Sequence, residues 1–217
     1  MPQSQSPQRI LMGITGATGA IYADRLLSVL VERGLRVGLI ATKPGCQVVR
    51  FELGMDSLLA QCLFKKRLSP SNVVTFSNDD FFSPVASGSS APDAMVIIPC
   101  SMGTMSRIAQ GSSTCLLERA ADVVLKERRP LLISPRETPF GLIHLRNMTA
   151  LAESGAVIMP AAPDFYHHPK SVIEIVDLFV GKILEQLGIN HTLYEPWAED
   201  RCSARGANSS LEGHLSS

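Results

Sequence analysis

The sequence predicts an α/β fold: a doubly wound, Rossmann-like, mostly parallel sheet with helices on both faces. Short apolar runs alternate along the chain with helical patterns, as they do where crossover helices join parallel strands. One run, residues 94–98, is apolar throughout, which is typical of a strand buried on both faces. The 217 residues suffice for one domain with a sizeable core. We expect a disordered leader at residues 1–8, a single domain at residues 9–189 and a C-terminal tail at residues 190–217.

The charge and composition argue against several classes of function. Lysine plus arginine and aspartate plus glutamate number 20 each, so no net field attracts the chain to nucleic acid or to a membrane. No apolar run reaches the ~20 residues of a membrane span, and the polar start lacks the apolar core of a signal peptide. The five cysteines form no C-x-x-C pair, and the five histidines show no metal-binding spacing. We expect a cytoplasmic protein with reduced thiols and no metal, whose partners include neither nucleic acid nor membrane.

The first predicted strand ends in a glycine-rich turn that leads into a helical pattern. The turn contains Gly13, Gly16 and Gly19 at steps of three. Backbone N–H groups at such a turn point toward one place, where the helix dipole favours an anion. Thr18 is placed to cap the helix and to add a hydroxyl donor. The spacing matches neither the dinucleotide fingerprint nor the P-loop, so a strand-to-helix turn without a ligand stays as the alternative.

Polar loops follow four of the predicted strands. Ligands of doubly wound sheets bind beyond the carboxyl ends of the strands, so these loops are expected to gather around one ligand. The loops comprise residues 15–19, 42–45, 99–104 and 135–139. The later strands are predicted at residues 35–41, 73–76, 94–98, 130–134 and 156–159, and helices at residues 46–51, 56–64, 116–126 and 144–154.

Side chains in these loops can bind a ligand, although each has a plain structural alternative. Thr42, Ser101 and Thr104 offer hydroxyl donors, but turns and helix caps would use the same residues. Arg136 and Glu137 lie between prolines at a strand end, where rigidity suits an anion contact or a proton donor. We therefore favour a function for this pair over a surface ion pair.

Four further residues are less informative by pattern alone. Arg119 and Lys126 fall in a predicted helix, where solvated charges are the better interpretation. Tyr166 follows the last predicted strand and either lines the cleft or packs in the core. Trp197 is the only tryptophan and either anchors the tail to the domain or covers a site.

Taken together, these segments resemble the flavin prenyltransferases of the UbiX type. The resemblance extends from about residue 9 to Trp197, and the combination of motifs is highly specific although each motif alone is weak. The motifs that carry it are GITGATGA at residues 13–20, ASGSSAP at 86–92, PCSMGT at 99–104, ERAADV at 118–123, LKERRP at 125–130, PRETP at 135–139 and Phe165-Tyr166.

The resemblance implies a reaction and its partners. Members of this family bind FMN and join a dimethylallyl group from dimethylallyl phosphate to flavin N5 and C6, which forms a fourth ring and releases phosphate. The prenylated flavin then serves a separate UbiD-type decarboxylase. No metal is implied, and the only Asp-Asp pair, at residues 79–80, lacks the D-D-x-x-D pattern of metal-dependent prenyl transfer. Family members assemble as dodecamers with sites shared between subunits.

The resemblance also implies roles for individual residues. FMN would be held by Gly16, Ala17, Thr18, Thr42, Ser101, Met102, Gly103, Thr104 and Arg136. The prenyl phosphate would be surrounded by Ser87, Gly88, Arg119, Lys126, Tyr166 and Lys182. Glu52 and Glu137 would handle protons, Lys126 would count among the catalytic residues, and Trp197 in the tail would close the site.

Two positions depart from the family pattern, and three alternatives stay open. Thr18 stands where serine is common, and Lys182 where many members carry arginine, whose bidentate phosphate geometry lysine lacks.

The alternatives are an FMN-dependent cysteine decarboxylase, a non-enzymatic flavin carrier and a direct decarboxylase of aromatic acids. The first is disfavoured because PCSMGT replaces the expected PASANT stretch and no histidine precedes His144. The sequence leaves open whether the donor is the monophosphate or the diphosphate.

Overall fold

The computed structural model describes residues 7–65 and 70–195. This part of the chain contains six strands and seven α-helices, and two short 3₁₀ helices, Pro84–Ala86 and Gly88–Ser90, precede the fourth strand. The strands are β1 Arg9–Ile14, β2 Arg36–Ala41, β3 Val73–Phe76, β4 Ala94–Cys100, β5 Leu131–Pro135 and β6 Val157–Ile158. The helices are α1 Ala20–Glu32, α2 Lys43–Leu53, α3 Leu58–Phe64, α4 Met102–Ala109, α5 Leu116–Lys126, α6 Leu142–Glu153 and α7 Val172–Gln186.

The six strands form one parallel sheet in the order β3-β2-β1-β4-β5-β6. The chain builds outward from β1 to β3 and then returns to the other side of β1 with β4. The strand order therefore reverses between β1 and β4, as in other doubly wound sheets. This arrangement confirms the predicted fold class.

Alternating side chains of β1 face two hydrophobic cores. Ile10, Met12 and Ile14 pack on the side of α1 and α7, whereas Leu11 packs on the side of α5. All four are fully buried. The central strand therefore carries apolar residues at nearly every position, as a strand covered on both faces requires.

Two contacts fix α7 against α1. Arg25 binds Asp177 (Nε to Oδ1, 2.5 Å), and the ring of Tyr22 packs edge-on against Phe179 with 5.1 Å between ring centroids. The two helices thereby cover one face of the sheet together. Among the described residues, no helix is both long and apolar enough to cross a membrane.

Two helices begin earlier than the sequence pattern predicts. α2 begins at Lys43 rather than at residue 46, because the Thr42 hydroxyl accepts a hydrogen bond from Gly45 N (3.1 Å) and caps the first turn. α6 begins at Leu142 rather than at residue 144. Part of the loop at residues 42–45 is therefore the first turn of a helix.

Candidate functional site

The carboxyl ends of β1 and β4 are joined by one buried side chain, that of Thr15. Its hydroxyl donates to Pro99 O (2.8 Å) and accepts from the backbone N–H of Ser101 (2.7 Å). These bonds hold the loops at residues 15–19 and 99–104 together where the strand order reverses. Ligands of doubly wound sheets bind at this point.

The loop after β2 lies directly beside the glycine turn. Thr42 N donates to Ile14 O (2.9 Å). A Cβ atom on Gly16 would lie 2.6 Å from Cβ of Pro44, and one on Gly45 would lie 2.6 Å from Ile14 O. Because neither position has room for a side chain, the two loops form one closely packed wall.

α4 begins beyond β4 without a side-chain cap on its first amides. Ser101 is the N-cap residue, yet its hydroxyl donates to Thr104 Oγ1 (3.2 Å). Met102 and Thr104 are buried, whereas Gly103 is exposed. Such a helix start offers backbone N–H donors to an anion.

The loop after β5 brings Arg136 to the same edge. Its backbone N–H donates to Cys100 O (3.2 Å). Its Nε is buried and has no hydrogen-bond partner in the described part of the chain. A buried guanidinium donor without a partner is costly, and an acceptor atom of a ligand would satisfy it. Glu137 is exposed, and its carboxylate accepts from Thr138 N (3.0 Å).

The start of α1 differs from the prediction. Gly19, in the left-handed conformation (φ 107°), is the N-cap residue, whereas Thr18 is exposed and Ala17 is buried. The carboxylate of Glu52 instead accepts hydrogen bonds from Gly19 N (3.0 Å) and Ala20 N (2.8 Å). The prediction that Thr18 caps α1 is therefore wrong, because a charged side chain from α2 fills that role. An anion at these amides would have to displace the carboxylate.

A second group of predicted residues lies together along α5. Arg119 Nε donates to Ala86 O (3.2 Å), which holds the backbone next to Ser87 against the helix. A Cβ atom on Gly88 would lie 3.0 Å from Lys126 Nζ. The four residues that the resemblance assigns here to the prenyl phosphate are thus neighbours.

Lys126 lies away from the loops at the carboxyl edge. Lys126 ends α5, and the chain then enters β5 at Leu131, so its ammonium group lies near the edge where the strands begin. Lys126 pairs with Glu127 (2.7 Å), and Arg119 pairs with Asp122 (2.7 Å). Each cation therefore already has a carboxylate partner on its own chain.

Tyr166 and Lys182 lie in a third place. Tyr166 is exposed in the loop after β6. Lys182 on α7 pairs with Glu185 (2.9 Å), and its Nζ lies 5.6 Å from the ring centroid of Tyr194. His167 is next to Tyr166, and the centroid of its ring lies 5.2 Å from that of the Tyr194 ring. Tyr194 therefore contacts both the loop after β6 and helix α7.

The C-terminal tail is described as far as residue 195. Tyr194 packs on α7, and its hydroxyl donates to Glu185 Oε1 (2.6 Å). Burial and this neighbouring carboxylate raise the pKa of Tyr194 above its usual value. Trp197, which the sequence predicts to close the site, lies outside the described residues.

Sequence reasoning missed two features of this edge. Thr15 lies inside the glycine motif, and the available signal was a polar residue directly after an apolar strand. Arg107 of α4 and Glu118 of α5 form an ion pair (Nε to Oε1, 2.5 Å) in which Glu118 is only 1% exposed. The signal for Glu118 was a carboxylate among the apolar positions of an amphipathic helix.

The residues at the carboxyl edge fit FMN. The start of α4 offers N–H donors, Arg136 holds a buried donor without a described partner, and the exposed Gly16 and Gly103 leave their backbone accessible. Within residues 7–65 and 70–195, no cluster of His, Cys, Asp or Glu is suited to a metal ion. Fold and site thus define an α/β protein whose topological switch point can hold a phosphate-bearing ligand.

Comparison with known proteins gives this class a name. The Flavoprotein family model matches residues 1–186. The chain is 47% identical over 192 residues to the flavin prenyltransferase UbiX of Halalkalibacterium halodurans. These aligned residues cover 88% of this chain and 93% of that protein. The chain therefore belongs to the Flavoprotein family and, within it, to the flavin prenyltransferases of the UbiX type, which are transferases.

Two solved structures share the fold closely. AnUbiX (PadA1), crystallised with FMN and dimethylallyl pyrophosphate, superposes with a TM-score of 0.81 at 34% identity, covering 88% of this chain and 97% of that one. A dodecameric FMN-dependent UbiX-like decarboxylase from Escherichia coli O157:H7 gives a TM-score of 0.79 at 36% identity, with 87% and 98% covered.

Proposed function

We propose that this protein joins a dimethylallyl group from dimethylallyl phosphate to N5 and C6 of reduced FMN and releases phosphate. Bound reduced FMN supplies the two atoms that become bonded to that group. The observation that carries the proposal is the gathering of polar loops around Thr15, with the unpartnered Nε of Arg136 among the described residues of that edge. The prenylated flavin would serve a separate UbiD-type decarboxylase.

The first task of the site is to hold the flavin. Backbone N–H groups of Met102, Gly103 and Thr104 would bind the phosphate, because a helix start favours an anion. Arg136 would donate its Nε–H, which has no partner among the described residues, to an acceptor atom of the flavin. The loops after β1, β2 and β4 would line the flavin site with Gly16, Ala17, Thr18, Thr42 and Ser101.

The second task is to stabilise the departing phosphate and the allyl group. Arg119, Lys126 and Lys182 would neutralise negative charge that develops on the phosphate. The aromatic face of Tyr166 would stabilise positive charge on the allyl group. Trp197 is proposed to close the site over both ligands.

The third task is to move protons. Bonds to N5 and C6 each replace a hydrogen, and one hydrogen returns to the isoprenoid carbon chain. A carboxylate beside these atoms can accept and return a proton. Glu137 follows Arg136 directly and is exposed in a single chain, so it would need a covering surface to act in a dry site. Glu52, held by two amides of α1, is the other candidate.

We propose that a second copy of the chain completes the site, in a homo-oligomer that is a dodecamer. Lys126, at the end of α5, lies away from the carboxyl edge of its own chain, which supports a role in a neighbouring site. Exposed apolar side chains around the loops after β5 and β6 support an interface there, since groups of this kind mark protein contacts. They are Phe140, Leu142, Ile143, Leu145, Phe165, Val172 and Ile173.

The reaction is tested by weighing the flavin. The full-length protein is incubated without oxygen with reduced FMN and dimethylallyl phosphate, and the flavin mass is expected to rise by one isoprene unit. Dimethylallyl diphosphate in a parallel incubation identifies the donor, and Arg136→Ala serves as the control for the flavin side. Stoichiometric FMN binding with no change in mass would overturn the transfer reaction and leave a flavin carrier.

The proposal also covers the use of the product and the location of the protein. The product's use is tested by adding the modified flavin to a UbiD-type decarboxylase prepared without cofactor, which should then gain activity. The cytoplasm is proposed as the location because the cysteines of the described residues, Cys46, Cys62, Cys100 and Cys115, are all free thiols.

A further inference from the structure

A chain of polar contacts runs from the interior of α5 to the first turn of α4. Glu118 accepts from Arg107 Nε (2.5 Å), from the Thr114 hydroxyl (2.7 Å) and from Thr114 N (2.9 Å). Arg107 Nη2 donates to Thr104 Oγ1 (3.4 Å), and Ser101 Oγ donates to the same oxygen (3.2 Å). The chain of contacts therefore ends at the hydroxyl of Thr104.

These contacts determine the direction of the Thr104 O–H bond. A hydroxyl group carries one donor hydrogen and two acceptor lone pairs. Both lone pairs of Thr104 are used by Arg107 and Ser101, so its hydrogen must point to a different acceptor. The described residues supply none, although Thr104 is only 2% exposed. An acceptor from a ligand would complete the set.

Glu118 fixes the position of the Arg107 cation. The guanidinium lies back along α4, with Nη1 3.5 Å from the place that a Cβ atom on Gly103 would occupy. Burial opposes ionisation of Glu118, but hydrogen bonds from Arg107 and Thr114 outweigh burial and lower the pKa of its carboxyl group. The carboxylate therefore stays charged at neutral pH and holds the cation over the start of α4.

We propose that Arg107, anchored by Glu118, is a positioning residue that makes Thr104 an obligate hydrogen-bond donor to the phosphate of FMN. The inference rests on the proposed function, because that function places the flavin phosphate at the start of α4. It extends that function to two residues outside the loops, one of them on a different helix.

A double-mutant cycle tests this inference on the full-length protein. The dissociation constants of FMN and riboflavin are measured by flavin fluorescence for wild type, Arg107→Ala, Thr104→Val and the double variant. Each single change is expected to weaken FMN binding about tenfold, the loss of one hydrogen bond to a charged group. The double variant should bind FMN like either single variant, because Arg107 acts through Thr104. Riboflavin binding should not change.

Two further variants separate positioning from general attraction and from misfolding. Arg107→Lys keeps the charge but lacks the guanidinium group, whose nitrogen atoms contact Glu118 and Thr104 at the same time. This variant should therefore not restore the affinity for FMN. Arg107→Ala with Glu118→Gln avoids a buried, unpaired carboxylate and should fold while still binding FMN weakly. Arg36→Ala removes an exposed cation on β2 and is the control for net charge.

The outcomes are distinct. If wild type binds FMN, any of three results would overturn the inference. These are losses of FMN affinity that multiply in the double variant, full rescue of FMN affinity by Arg107→Lys, and an equal loss of riboflavin affinity. Failure of wild type to bind FMN would overturn the proposed function, and the inference with it.

Discussion

The flavin side and the prenyl-phosphate side of the proposed site differ in how complete they are within one chain. At the carboxyl edge, Thr15 joins two loops, and the Nε of Arg136 has no described partner. By contrast, Arg119, Lys126 and Lys182 each pair with a carboxylate of their own chain. One chain therefore has an unpartnered donor available on the proposed flavin side among its described residues, whereas the three cations would have to exchange their ion-pair partners in order to bind a phosphate.

The largest expected effect comes from placing the two sides in different chains. Arg136→Ala and Lys126→Ala should each slow prenyl transfer by about a hundredfold, because each removes a charge that acts on a ligand. Mixed oligomers of the two variants, co-expressed with different tags, should regain part of the activity if sites are shared. The flavin mass assay on doubly purified oligomers measures the recovery.

A matched pair of variants controls this experiment. Arg136→Ala mixed with Ser101→Ala should show no recovery, because both changes lie on the flavin side. Absence of recovery in the first mixture, with intact oligomers, would mean that one chain supplies both sides of each site.

Thr15→Val removes the hydroxyl group that joins the two loops of the flavin side. The valine cannot accept from Ser101 N, which leaves a part-buried donor without a partner and should lower the free energy of unfolding by about 1–3 kcal/mol. Urea denaturation measures the change, and Thr15→Ser, which keeps the hydroxyl, should lose much less. A valine variant as stable as wild type would show that the two loops are joined by other contacts.

The difference between the two sides also explains what could be predicted from the sequence. Apolar runs and helical spacing depend on neighbouring residues, so the sheet was predictable, and the strand at residues 73–76 and the helix at residues 116–126 have the predicted bounds. The cap of α1 was not predictable, because Glu52 is 33 positions away from Gly19. The role of Thr15 depends on Pro99, 84 positions away.

The candidate site shows the same limit. The strand order of a doubly wound sheet was enough to bring residues 16–18, 101–104 and 136 to one edge. The spacing of Arg119 and Lys126 predicted solvated charges, and both side chains are indeed part-exposed and paired with nearby carboxylates. Their assignment to the prenyl phosphate would depend on the proposed contacts between chains, which a single sequence does not encode in its local pattern, and it stays a prediction.

Glu137→Gln tests the chemistry between the two sides. FMN affinity should stay unchanged, because the exposed carboxylate accepts a hydrogen bond only from the adjacent Thr138 N among the described residues. Formation of the fourth ring should slow about tenfold or more, as expected when a group that transfers a proton is lost. Single-turnover absorbance spectra follow the rate. Spectra identical to those of wild type would remove Glu137 from the reaction.

The Glu118 ion pair predicts a pH dependence of stability. Because the folded-state pKa of Glu118 lies below its unfolded value, its stabilising effect is present above the unfolded pKa and is lost as pH falls through the folded pKa. Wild type should therefore exceed Glu118→Gln in stability at neutral pH, and the difference should narrow with acidification. Urea denaturation over a pH series measures it; a constant difference would contradict the pKa direction.

Lys182→Arg should have the smallest effect and would sharpen the comparison. Arginine keeps the charge and can still pair with Glu185, so stability and FMN affinity should not change. It gains a fork that matches phosphate oxygens, and we expect the KM for dimethylallyl phosphate to fall about twofold to threefold. Steady-state kinetics at saturating FMN measure this. Lys182→Met, which removes the charge, should raise KM instead. If neither variant changes KM, Lys182 does not contact the phosphate, and the other residues assigned to the prenyl phosphate bind it without Lys182.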